Sequence, residues 1–380
     1  MPVVFLCAFL VAMLCGNFLP IHVKSFFCCI SLAIKECMLF VMPFVIFSLV
    51  SSSLRRIGAF SSVKSLFAII PLICCSNFFN TCVSYLLGNF CMKSGLIASI
   101  GDVAAGHVAQ PLVLPFSISL KPVISNDFAL LSGVIFGLLC VRVKYEKIPN
   151  LQGIMEAFVM YFFKILLPLM PLFIFGTALK LGHDGMISII VSEYFVIAII
   201  FLLSCCGYIL LQLFLLANCS IRKATEYLRN LLPAIIAGFG AMSSIAALPL
   251  SISAAEKNLS NKHNAGIIIP CSVNIHLVGD CFFIPLMALT ILFQFNLESP
   301  DIFEYLTFAL YFAAAKFAVA AVPGGGILVM LPILQNYLGL DSEMLGLITA
   351  IYVLFDPFIT GCNVAGNGSL AIIFDKVAKR

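Results

Sequence analysis

The sequence predicts an all-α polytopic membrane protein, and three observations carry that prediction. Mean hydropathy is +1.14. Charged residues make up 10 % of the 380 and hydrophobic residues 62 %, which is too little charge for a water-facing surface. Apolar runs of bilayer-crossing length recur along the chain, and two of them are interrupted at their centres by residues that resist helix.

In order, the spans cover about 3–21, 26–54, 64–92, 128–141, 150–181, 186–218, 264–294 and 344–376, with broken regions at about 222–258 and 300–340. The first run, Val3 to Leu19, has no basic stretch before it and no small-residue cleavage motif, so it reads as a retained helix. Several spans exceed 25 residues, which implies tilt. The segment between Lys93 and Asp127 is polar enough to lie outside the membrane, and Asp102 and His107 within it read as solvated residues.

The broken regions carry the most information. Gly238 to Ala247 is rich in Gly, Ser and Ala; Val322-Pro323-Gly324-Gly325-Gly326 must stop a helix, since proline has no N–H and glycine disfavours the helix interior. Non-helical backbone at membrane depth survives only where it lines a cavity or is buried in protein. Each region therefore reads as a re-entrant hairpin, the usual pointer to a transporter's binding site. Charge placement agrees. Arg55, Arg56, Lys64, Arg142, Lys144, Lys147, Arg222, Lys223, Arg229, Lys262, Lys376, Lys379 and Arg380 all fall on the cytoplasmic side if both broken regions re-enter and both termini are inside. The first hairpin is flanked by Arg222/Lys223 and Lys257/Lys262 and enters from inside. The second is flanked by Glu298, Asp301, Glu304, Asp341 and Glu343 and enters from outside. Two hairpins of opposite entry suggest an inverted repeat.

Within the last span, Met344 to Phe374, Asp356 is the one ionisable residue. A charge at that depth costs about 3 kcal/mol on insertion scales. Thr360, Asn363 and Asn367 follow at helical spacing and extend a polar stripe down an apolar helix. Either Asp356 is neutralised by a buried partner or a proton, or it binds something polar or cationic. The adjacent Lys35 and Glu36 are expected to point to different faces of their helix.

Other chemistries find no support. The 16 cysteines include no C-x-x-C and read as free thiols without a disulfide frame or zinc site. Neither a Walker A sequence nor H-E-x-x-H occurs. An intramembrane acyl or glycosyl transferase would want a membrane-edge cluster of His and Asp/Glu near a basic loop, which is missing from the sequence, so no enzyme is expected.

Four motifs carry a resemblance: Ser243-Ser244 through Leu248-Pro249, Pro270 through Gly279, Val322-Pro323-Gly324, and Asp356 through Gly366. In these the chain resembles the dicarboxylate/amino acid:cation symporters, the glutamate and neutral amino acid transporters. The resemblance implies eight transmembrane helices plus two re-entrant hairpins, assembled as a homotrimer in the plasma or inner membrane. It assigns residues 1–62 to scaffold helices 1 and 2, 63–93 to transport-domain helix 3, 94–127 to an extracytoplasmic loop, 128–185 to scaffold helices 4 and 5, and 186–380 to the transport-domain core.

Residue by residue, the resemblance makes Asp356 the holder of a substrate ammonium, with Thr360 beside it and Asn363 against the substrate carboxylate. Ser243 and Ser244 form the tip of the first hairpin, and Val322, Pro323 and Gly324 the gating tip of the second. Acidic-substrate relatives carry an Arg where this chain has Ile359, which leaves a second carboxylate without a cation. A neutral amino acid is therefore expected. The departures continue at the cation sites, where the motif Asn-Met-Asp-Gly-Thr is here His276-Leu277-Val278-Gly279-Asp280. Val278 and Asn367 stand where the family has sodium-binding aspartates, and Lys316 where it has a Ser. Sodium prefers hard oxygen ligands, so ordinary sodium coupling is in doubt. The residues nominated for cation or proton coupling are Ser272, His276, Asp280, Lys316, Asn363 and Asn367. Three accounts stay open: Lys316 stands in for a bound cation, pairing with a carboxylate such as Asp280; His276, Asp280 or Asp356 carries a proton; or transport is cation-independent. Against these, Lys316 could snorkel to the surface and His276 could be a packing residue. Expected partners are an amino acid, the bilayer and two further copies of the chain; no cofactor is expected beyond a co-transported sodium ion or proton. The alternative is a sodium- or proton-coupled symporter of dicarboxylates or acidic amino acids.

Overall fold

The computed structural model describes residues 2–16, 18–60, 63–96, 112–113, 115–116, 120–143, 149–183, 185, 187–319 and 324–377. Regular structure among them is helical throughout. The helices are α1 (Pro2–Gly16), α2 (Ile21–Phe60), α3 (Val63–Lys93), α4 (Asn126–Val143), α5 (Pro149–His183), α6 (Ile187–Leu216), α7 (Ile221–Ala241), α8 (Leu248–Asn258), α9 (His263–Ser272), α10 (Val278–Gln294), α11 (Ile302–Ala315), α12 (Gly325–Leu338) and α13 (Ser342–Val377). A 3-10 turn, Lys316–Ala318, continues α11. Among the described residues, five helices are long and apolar enough to cross a membrane: α2, α3, α5, α6 and α13.

Two expected boundaries move. The first span does not run on to about 21: α1 ends at Gly16, and α2 starts where the Pro20 carbonyl accepts from Val23 N and Lys24 N at 3.0 and 3.2 Å. Proline cannot continue a helix from behind but serves well at its start. The span expected over about 264–294 is two helices, α9 and α10, separated by Val273–Leu277. Leu277 lies outside the helical region, with φ −124° and ψ 71°. The freed backbone is rejoined from another helix. Asn77 of α3 donates its Nδ2 to Ile275 O at 2.7 Å and accepts from Leu277 N at 3.3 Å. Its primary amide does the work of the missing peptide groups.

Both interrupted regions form helix pairs, α7 with α8 and α11 with α12, and the two helices of each pair pack on one another. The first pair turns at Met242, whose φ of 48° is left-handed and uncommon for a side chain of that size. In the second, Gly324 takes φ 74° just before α12, a conformation open to glycine at little cost. Val322 and Pro323 lie outside the described residues, as does most of the loop that holds Asp102 and His107.

The helices pack in two groups that also touch each other, where α2 meets the 3-10 turn, α12 and α9 and where α1 and α5 meet α13. In the first, α2 lies against α4 and α5, and α1 against α5. Glycines let these backbones approach: a Cβ on Gly176 would sit 2.3 Å from Phe27 O, and one on Gly137 3.0 Å from Leu54 Cβ. In the second, α10 runs through the middle, packed by α3, α6 and α13, with α7 and α8 beyond α13. The carboxylate of Asp375, near the end of α13, accepts from Ser260 N, Asn261 N and Asn264 Nδ2 at 3.0, 3.3 and 2.9 Å, so it ties down the turn between α8 and α9. The α11 start is fixed by a capping box, Asp301 with Glu304. One expectation fails here. Lys35 and Glu36 do not diverge, since their long side chains bend together to 3.4 Å. Burial of Lys35, which is 2 % exposed, gives the ammonium reason to reach for the nearest carboxylate.

Candidate functional site

The tips of the two helix pairs, the α9–α10 break and the middle of α13 meet around one small space of about 30 Å3, enough for a water or two. Its walls include Ser243, Ser244, Asp280, Asp356, Thr360 and Asn363. Sequence spacing brought the last three onto one face of α13; the fold adds the serines from the α7–α8 turn and Asp280 from the first turn of α10.

Asp356 is buried. Its Oδ2 accepts from Gly324 N at 2.9 Å, and its Oδ1 accepts from Thr360 Oγ1 at 3.2 Å. Both donors are neutral. Gly324 precedes α12, so its N–H also brings the partial positive end of that helix to the carboxylate. Asn363 faces the other way with its carbonyl: Oδ1 accepts from Gly279 N at 2.8 Å and from Asp280 N at 3.4 Å. It thereby holds two of the N–H groups that open α10. A Cβ on Gly279 would lie 2.4 Å from Ile359 O, so α10 and α13 touch backbone to backbone at this level.

Next to the cavity lies a buried ionic cluster. Lys316 Nζ is 3.2 Å from Asp280 Oδ2, and Tyr352 donates its hydroxyl to Asp280 Oδ1 at 2.8 Å. The Lys316 ammonium also sits 4.3 Å from the centre of the Phe312 ring, a cation–π contact. Lys316 is 0 % exposed, so it does not snorkel. With Asp280 matched by Lys316, the site keeps one carboxylate, Asp356, that pairs with no basic residue among those described.

The remaining nominated residues lie elsewhere. His276 Nε2 is 2.9 Å from Ser76 Oγ of α3. Its Nδ1 and both amide atoms of the nearby Asn367 are buried without a well-formed hydrogen bond among the described residues. Ser272 Oγ turns back to Ile269 O at 3.3 Å. Val278, in the position of a sodium-binding aspartate by resemblance, is fully buried against α13: a Cβ on Gly366 would meet its Cγ2 at 2.5 Å. The Ile359 side chain is buried in the core and does not line the cavity. Tyr352 went unnoticed in the sequence, although it lies four residues before Asp356 and so extends the polar stripe by one turn. Asn77 and Ser76 carried no signal of their own, because isolated polar residues in an apolar helix do not announce their partners.

Comparison with known proteins bears on what such a site is for. A family model described as the sodium:dicarboxylate symporter family matches residues 1–377. The chain belongs to that family. Among curated relatives, it is 29 % identical over 143 residues to the Oryctolagus cuniculus neutral amino acid transporter B(0), covering 37 % of this chain and 26 % of that one. It is 26 % identical over 180 residues to the Homo sapiens excitatory amino acid transporter 5, covering 46 % of this chain and 32 % of that one. A third relative is the Mus musculus excitatory amino acid transporter 4, at 25 % identity over 160 residues, 42 % of this chain and 28 % of that one. The chain thus spans roughly a quarter to a third of the length of these relatives. Membership in a family of symporters, together with the five long apolar helices among the described residues, makes this an integral membrane protein.

Proposed function

We propose that the chain is a secondary transporter that moves a neutral amino acid across the membrane by alternating access. The observation that carries this is Asp356: a buried carboxylate with two neutral donors and no basic partner among the described residues. An unpaired charge at that depth is costly, and a substrate ammonium supplies the missing cation. The substrate carboxylate would meet donors at the helix ends, from the Ser243-Ser244 turn and the Asn363 amide. Loading requires more room than about 30 Å3, and the α11–α12 pair, whose Gly324 caps Asp356, is the part that opens.

The preference for a neutral substrate rests on the absence of a cation for a second carboxylate. The relatives include both neutral and excitatory amino acid transporters by name. Here Ile359 is apolar, and Lys316, the cation beside the cavity, is taken by Asp280. A dicarboxylate or acidic amino acid would have to break that pair.

The helix pairs α7–α8 and α11–α12 are read as re-entrant hairpins beside eight spans, α1 to α6, α9 with α10, and α13. The split of the packing supports a scaffold of α1, α2, α4 and α5 with the remaining helices as a moving body, assembled as a homotrimer with both termini cytoplasmic. Uptake of a panel of labelled amino acids into proteoliposomes tests the reading. Small neutral amino acids should accumulate ahead of aspartate and glutamate, and Asp356→Asn should abolish uptake. Wild-type uptake by Asp356→Asn would remove the anchor from the mechanism.

A further inference from the structure

Lys316 makes the second hairpin carry its own cation. It ends α11, one arm of the α11–α12 pair, and its ammonium reaches across to Asp280 of α10, which Tyr352 of α13 also holds. Three separately placed elements meet at that one charge. The start of α12 closes the cluster: a Cβ on Gly326 would lie 2.2 Å from Tyr352 Oη and 2.7 Å from Asp280 Oδ2. The carboxylate is therefore sandwiched between both arms of the hairpin and α13, beside Asp356 at the same cavity. No solvent reaches the pair, since the two side chains are 0 % and 1 % exposed.

We propose that the Lys316 ammonium is a tethered counter-ion that clasps the α11–α12 hairpin over the candidate site, so that hairpin closure needs no sodium from solution. The proposal rests on the transport reading only for what the hairpin closes over; the clasp itself is a property of the folded chain. An ionised carboxylate buried at this depth needs a positive partner, and here the partner is carried by the hairpin itself. In a symporter that charge can be a diffusible ion, bound and released each cycle. Here it is a side chain that cannot leave. Electroneutrality at Asp280 is reached without ion exchange, and the hairpin's closed state no longer depends on the sodium concentration on either side.

The test uses the purified full chain in detergent without any amino acid, so its result is independent of the substrate reading. Thermal unfolding is followed in choline chloride with sodium chloride added. Wild-type protein should unfold at the same temperature in both. Lys316→Ala leaves Asp280 without its cation. Its midpoint should fall in choline and rise again, saturably, by about 2 °C or more with sodium, as expected for a ligand that binds only the folded state. Lys316→Ala/Asp280→Asn should lose that response. If Lys316→Ala gives no folded protein, Lys316→Gln, which keeps length and loses charge, is measured in the same way. A saturable sodium response in the wild type overturns the proposal, as does a charge-removing variant indifferent to sodium. Failure of Asp356→Asn to affect uptake would overturn the substrate reading and leave the clasp standing.

Discussion

Replacing Lys316 by methionine should be among the most damaging single changes in the protein, and replacing its partner as well should undo much of the harm. The ion pair is 3.2 Å long and almost fully buried. At that distance the attraction is about 5 kcal/mol for an effective dielectric near 20, before the desolvation of both charges is subtracted. Desolvation takes back much of this, so the pair adds little net stability over a neutral one. Breaking it is another matter. Lys316→Met leaves Asp280 with the Tyr352 hydroxyl as its side-chain donor among the described residues, and the expected cost is about 3–5 kcal/mol. Asp280→Asn leaves the ammonium with the Phe312 ring, at a similar cost of about 3 kcal/mol. In the double variant, methionine fills the lysine's volume and the asparagine amide still receives the tyrosine hydroxyl. Its cost should drop to about 1–2 kcal/mol, so the coupling energy is about 3 kcal/mol or more. Unfolding in mixed micelles, titrated with a denaturing detergent, measures all four corners of the cycle. Additive costs, or single variants within about 1 kcal/mol of wild type, would show that the charges are hydrated and that the buried pair is not what holds this corner of the fold.

Further changes probe other contacts. Tyr352→Phe removes one hydrogen bond to a buried carboxylate and should lower stability by about 1.5–3 kcal/mol without altering the helical circular dichroism. Gly366→Ala drives a methyl group into Val278 and should cost about 1–3 kcal/mol; Gly366→Ala/Val278→Ala should recover part of it, as read by the unfolding midpoint. Asp375→Ala unties three hydrogen bonds, so amide exchange should speed up at 260–264 while α10 stays protected.

Much of the fold was legible because its breaks are written in residues with strong backbone preferences. The runs Gly238–Ala247 and Pro323–Gly326 resist helix, and the breaks fall within them: α7 ends at Ala241 and α8 starts at Leu248, while α12 starts only at Gly325. Asp356, Thr360 and Asn363 stood out because polar residues on an apolar helix are expensive. The break at Val273–Leu277 was not legible. Its residues, Val-Asn-Ile-His-Leu, carry no Gly or Pro, and the reason a helix stops there lies in α3. The Lys316–Asp280 pairing could be named as one option from the resemblance, but the third member, Tyr352, required the packing of α13 on α10. The Lys35–Glu36 pair shows the opposite limit: helical geometry sets where Cβ atoms point, and long side chains can overrule it.

The Asn77 splint also has a bearing on how the protein is made. Its two partners, Ile275 and Leu277, lie 198 and 200 residues further along the chain. During synthesis the amide of Asn77 is already in the bilayer long before the segment it repairs emerges. Had the order been reversed, unpaired backbone groups at 275–277 would wait in lipid, where each costs several kcal/mol. Chain order thus supplies the repair ahead of the damage. An early-inserted helix acts as the template on which a later, deliberately incomplete one is finished.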